Sequence, residues 1–213
     1  MNPSPPPKAF ATVFKELTAT QPVIPGGISD TKSYHSIAVS DESAAAVVFE
    51  VIVVCSTSTQ IIYSPQNMNG ESGTSYHFRI FCVFDDDESV ELQAFRISVT
   101  SGITNMMVLE RHYRVTDKSV LSEHAMQCRK DQTFTVQQII DHLIVVKKRH
   151  QYRFDRATGS GCRYWCNVVV KDLEDLGLLP EGSAAATEQW GNEVAEMDRA
   201  SMNVPATQGT FYD

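Results

Sequence analysis

Two side chains in this sequence have the type and setting to do chemistry together: the thiol of Cys162 and the imidazole of His77. Cys162 follows Gly159-Ser160-Gly161, and behind it Trp165, Val169, Leu173 and Leu176 recur at helical spacing as far as Gly177. The pattern predicts a tight turn feeding a helix, with Cys162 in its first turn and Gly177 as its C-terminal stop. A thiol placed there meets the positive end of the helix dipole and unpaired backbone N–H groups, and both favour the nucleophilic thiolate. A thiolate attacks an acyl carbon once an imidazole has taken its proton, so the chemistry on offer is acyl or amide transfer with a general base in reach.

The histidine must be brought there by a sheet. Tyr76–Phe84, the acidic run Asp85-Asp86-Asp87-Glu88 and Ser89–Ile97 read as two strands joined by a solvated turn. Alternation puts Phe78, Ile80, Cys82 and Phe84 on one face, and His77, Arg79, Phe81 and Val83 on the other. His77 is therefore expected to open a strand on its more polar side, at the mouth of a loop spanning 64–75. The β-branched run Ala46–Cys55 predicts a strand buried on both faces, and residues 106–115 suggest another. Thr135 and Gln138 form a capping box that starts a helix over residues 135–149.

The order of these parts resembles a known arrangement. A histidine opening the strand HFRIFCVF, a following strand SVELQAF, a helix, and a link into a helix headed by a cysteine is similar to the circularly permuted papain-like thiol fold of the lecithin–retinol acyltransferase-like proteins. The segments HFRIFCVF, SVELQAF and YRFDRATGSGCRYWC also resemble an uncharacterised fungal family with a GCRYW motif, over roughly residues 45–183 on the pattern of that motif. The permuted thiol fold implies Cys162 as nucleophile, His77 as base, and a polar group on the second strand, best matched by Gln93, to orient the imidazole. This chain departs from that family at Gly161, where asparagine or a similar residue usually precedes the cysteine. If Phe84 pairs with Val90 across the acidic turn, Gln93 faces Phe81, about 13 Å along the strand from His77 at a rise of ~3.3 Å per residue. A bulge or a shifted register is then needed.

The rest of the chain bounds the answer. Its 213 residues, 42% hydrophobic and 21% charged, suit one globular domain with some tail. The net charge of -8 argues against a broad nucleic-acid or anionic-membrane surface. Five cysteines are an odd number for a disulfide framework, and Cys162 and Cys166 have no partner pair at metal-ligand spacing, so neither a metal nor an organic cofactor is expected. The longest apolar run is too short to span a bilayer, and a cytoplasmic location is the default reading. The expected organisation is a Pro-rich lead with a short amphipathic helix (residues 1–30), an α+β domain with an antiparallel sheet against helices (31–183) and a polar tail (184–213).

Two functions from different classes remain open. One is a thiol enzyme that hydrolyses, transfers or cyclises an acyl group through a thioester on Cys162, acting on a small molecule or peptide. The other is a non-catalytic binding module of the same fold, with a groove lined by Arg79, Arg163, Tyr164 and Trp165. Each residue also has a structural alternative: Cys162 as a small core side chain, His77 as a half-buried strand histidine, Trp165 as part of the core stripe. The sequence leaves oligomeric state open.

Overall fold

Apolar alternation along the central strands builds a six-stranded sheet in the order β1-β5-β4-β3-β2-β6. The strands are β1 (Tyr34–Ala38), β2 (Glu50–Ser64), β3 (Asn67–Asp85), β4 (Glu88–Arg96), β5 (Thr104–Arg111) and β6 (Val120–Gln127). The computed structural model describes residues 34–64, 67–97, 102–115 and 119–212, with backbone alone at 58–64 and 67–73. The helix expected within 9–19 lies outside the described residues. The sheet is antiparallel except at one edge, where β1 runs parallel to β5.

The two central strands are longer than the sequence suggests. The loop expected over 64–75 is strand instead, because β2 and β3 stay paired from Glu50↔Val83 out to Ser64↔Asn67. His77 therefore sits in mid-strand and not at its opening. Gly70 and Gly73, read as loop residues, lie within β3.

One face of the sheet is covered by helices. Val51, Val53, Cys55, Phe78, Ile80, Cys82, Val90 and Leu92 pack there against α2 (Val136–Asp141), which continues into a π-helical turn His142–Val146, and against α3 (Cys162–Asp175). A short first helix, α1 (Asp41–Ala45), precedes β2. The predicted capping box at α2 is formed: the Thr135 hydroxyl accepts from Gln138 N–H at 3.3 Å, and the Gln138 amide oxygen accepts from Thr135 N–H at 2.9 Å. On the opposite face Ile52, Val54, Phe81 and Val83 form a second apolar cluster, as a central strand buried on both sides requires.

The segment 184–213 is part of the fold and not a tail. Residues Ser33–Asp213 make one compact unit. Within it α4 (Ser183–Glu196) buries Val194 and Ala195, and β8 (Thr210–Phe211) pairs with β7 (Tyr152–Arg153). Its composition hides this: α4 is rich in alanine and polar residues, and packs through small side chains such as Ala195 and Gly191 where the sequence lacks a strong apolar stripe. No helix among the described residues is long and apolar enough to cross a membrane.

Candidate active site

The turn before Cys162 is held rigidly. Asp155 accepts hydrogen bonds from the Thr158 N–H and hydroxyl, both at 2.8 Å, and Asp155 N–H donates to the Ser160 carbonyl at 2.9 Å. The Tyr152 hydroxyl donates to the Gly161 carbonyl at 3.0 Å and accepts from Gly209 N–H at 3.0 Å, tying the C-terminal segment to the start of α3. Gly161 is the residue before the helix, at φ 153°. A Cβ there would lie 2.9 Å from both the Phe154 ring and the Tyr152 hydroxyl. A side chain has no room at this position.

The sheet opens where Cys162 arrives. The β3–β4 ladder runs from Asp85↔Glu88 to Ile80↔Leu92 and ends there, although β3 reaches back to Asn67 and β4 continues to Arg96. Past that point the Cys162 thiol comes near the N–H groups of Phe78 and of Arg163 in the first turn of α3, and both favour its thiolate. The thiol belongs to the helix layer, whereas His77 and Gln93 project from the other face by alternation. They meet at this opening: the Cys162 and His77 side chains lie close enough for each to shift the other's titration, and His77 Nε2 donates to Gln93 Oε1 at 2.7 Å. With Nε2 engaged, Nδ1 is the nitrogen left for the thiol.

The register explains how Gln93 reaches His77. A turn closed tightly at Asp85↔Glu88 and a one-residue irregularity between Val83 and Asp85 together place Cys82, not Phe84, opposite Val90. This is the shift that the simple turn lacked. It moves Gln93 two positions closer to His77, and because the step is even it keeps every side chain on its expected face.

The electrostatics single out one thiol of five. Burial pushes the Cys162 thiol up, but the hydrogen bond and charge of His77, with the N–H groups of Phe78 and Arg163, outweigh it and hold the thiol below its ordinary value. Burial pulls His77 down, and the Cys162 and Gln93 hydrogen bonds outweigh that, raising the imidazole above its ordinary value. Opposite shifts in a contacting pair favour thiolate and imidazolium together. Burial raises the other four thiols: Cys55 and Cys128 to about 12, and Cys82 and Cys166 well above their ordinary value.

A cleft of about 990 Å³ opens over this pair. His77, Gln93, Arg79, Arg163 and Cys162 line it, and Tyr164 and Trp165 do not. Trp165 is fully buried and donates from Nε1 to the Arg149 carbonyl at 2.9 Å, so it is a core residue. Tyr164 points toward Phe211. Arg163 is buried, and its guanidinium donates to the Gly191 carbonyl at 2.7 Å and to the Asn203 carbonyl. The sequence reading grouped three consecutive residues as one lining, but a helix sends neighbours about 100° apart.

Reasoning from sequence missed Tyr152, Glu91 and Arg111. Glu91 is fully buried and accepts from Arg79 Nη1 at 3.1 Å and Arg111 Nε at 2.6 Å. A glutamate inside the apolar run Ser89–Phe95 was the available signal, since a carboxylate buried in a strand needs a cation beside it. Among the described residues no cluster of three or more His, Cys, Asp or Glu could hold a metal ion.

A family model described as a domain of unknown function, DUF7770, matches residues 59–212. The chain belongs to that family. The match takes in β3, β4 and α3, and so His77, Gln93 and Cys162 all lie inside the family's domain. No curated protein and no solved structure matches the chain.

Proposed function

We propose that this protein is a cysteine-dependent enzyme of acyl or amide chemistry, with Cys162 as nucleophile, His77 as general base and acid, and Gln93 as the group that orients the imidazole. The observation that carries this reading is the placement of Cys162 beside His77 in one cleft, with His77 Nε2 donating to Gln93 Oε1 at 2.7 Å. The likeness of strand and helix order to the permuted papain-like thiol proteins supports the same roles.

The steps follow from the positions of the groups. The thiolate attacks the acyl carbon and forms a C–S bond, while the carbonyl electrons move to oxygen. Helix N–H groups at the first turn of α3 lack carbonyl partners in the helix and can bind that oxyanion. The imidazolium gives its proton to the leaving amine or alkoxide as the old bond breaks, leaving a thioester and neutral His77. Water or a second nucleophile then loses a proton to His77 and attacks the thioester, which releases the thiol. Gln93 Oε1, by accepting from Nε2–H, keeps Nδ1 turned toward sulfur through both halves.

The alternative of a non-catalytic module with a Trp165-lined groove draws no support from the buried position of that indole. An activated ester such as p-nitrophenyl acetate tests the proposal. The expected result is a burst of nitrophenol and an acetyl adduct on Cys162 by mass spectrometry, both absent in Cys162→Ala. An intact burst in Cys162→Ala would contradict the assignment.

A further inference from the structure

The cleft carries a charge opposite to that of the whole chain. Arg79, Arg96, Arg111 and Arg163 line it, and among the described residues no aspartate or glutamate does, in a protein of net charge -8. Glu91, buried below, answers Arg79 and Arg111 with one carboxylate for two guanidiniums. Two cations around one anion leave a net positive charge at the floor. A concave, poorly hydrated site concentrates such a field.

The donors are also unsaturated. Arg111 uses Nε on Glu91, and Arg79 uses Nη1. Arg79 Nε is buried with no hydrogen-bond partner, which is costly unless a ligand completes it. Arg96 makes no hydrogen bond or ion pair among the described residues. Its guanidinium lies against Gly159, three residues before Cys162, so closely that a Cβ at that glycine would collide with Nη1. Phe95, half exposed, with Met107 and Leu109 adds an apolar wall.

Resting on the thiol-enzyme reading, we infer that the substrate of this site is an acyl compound bearing a carboxylate near the scissile carbonyl, held by Arg96 beside the turn before Cys162 while its apolar part lies along Phe95 and Met107. Arginine forks suit a carboxylate because two parallel N–H groups match its two oxygens. Arg79 contributes charge from the floor of the cleft.

Two alkylating probes of nearly equal size separate the charge preference from the nucleophile. Iodoacetate and iodoacetamide each lose iodide as the Cys162 thiolate forms a C–S bond, and they differ in bearing a carboxylate or a neutral amide. The full chain is treated with each, and the rate ratio on Cys162 is compared with that of N-acetylcysteine under the same conditions. The expected ratio favours iodoacetate about tenfold or more beyond that of the free thiol, in the range of electrostatic focusing. It falls toward the free-thiol ratio in Arg96→Gln, is retained in Arg96→Lys, changes little in Arg111→Gln at the far end of the cleft, and declines with added salt. The protein's overall negative charge would push the other way, so a raised ratio reports the cleft. A ratio equal to that of the free thiol, with Cys162 still labelled well, overturns the carboxylate preference and leaves the nucleophile standing. Failure of either reagent to label Cys162 faster than the buried cysteines overturns both.

Discussion

Cys162 and Cys166 stand one turn apart on the same helix, and they are opposites. Both sulfurs lie under the sheet, and burial pushes both thiols up. At Cys166 only the charge of Arg79 opposes that push, without overcoming it, and the thiol is packed in the apolar core with Trp165 and Val169. At Cys162 the sheet has opened, and the imidazole of His77 and two backbone N–H groups answer the developing charge. The helix dipole also fades within the first turn, so it favours the earlier residue. The reactivity proposed for Cys162 thus rests on the opening between β3 and β4 more than on the helix.

Several changes would break that contrast, and they rank by size. Replacing His77 with alanine removes the proton acceptor and the countercharge together. Thioester formation at neutral pH is expected to fall about 10²- to 10⁴-fold, the usual worth of a general base, and Cys162 should then approach Cys166 in its resistance to alkylation. Stopped-flow acylation kinetics would show it, and a fall of less than threefold would mean that the imidazole is a bystander. Gly161→Ala strains the backbone before Cys162 and forces Phe154 or Tyr152 aside. We expect a loss of about 1–3 kcal/mol of stability, as for an overpacked core site, with the acylation rate falling more than the melting point alone explains. Gln93→Ala removes one hydrogen bond worth about 1 kcal/mol. A drop of fivefold or so in acylation rate follows, with the pH profile moved because the imidazole loses one of the groups that raise it. An unchanged profile would demote Gln93 to a neighbour.

The sequence revealed the site's parts better than its assembly. Cys162 behind paired glycines, the alternation that separates His77 from Phe78, and the Thr135–Gln138 capping box were all readable, because each depends on spacing within one element. What escaped depends on backbone events that leave little trace in residue type. The tight closure at Asp85↔Glu88 and the Val83–Asp85 irregularity, which together bring Gln93 to His77, belong to an acidic turn that a plain hairpin would equally suit. The end of the β3–β4 ladder after Ile80↔Leu92 follows from tertiary competition for space with α3, which no local pattern records. The parallel edge strand β1 and the packing of a helix at 183–196, expected only as a marginal helix over 187–200, escaped for a related reason: their places are decided by neighbours distant in sequence.

The charge of the cleft was legible only in pieces. Arg79 was visible beside His77, but Arg96 and Arg111 come from two other strands, and the register of β4 against β5 sets them at the two ends of the cleft. Glu91 could have been noticed as a charge in an apolar run. Its two arginine partners place it beneath the site, where losing it would leave two guanidiniums unanswered.

The central claim is that Cys162 and His77 form an ion pair in the resting protein. A thiol held low is thiolate at any pH above its own lowered value, and an imidazole held high stays protonated up to its raised value. The pair therefore exists between those two limits, and alkylation of Cys162 by iodoacetamide, followed by mass spectrometry from acid to alkaline pH, reads it directly. The account predicts that the Cys162 rate is already high well below the ordinary thiol range while the Cys166 rate stays near zero throughout. Labelling of Cys162 that rises only in the alkaline range of an unassisted thiol would contradict it.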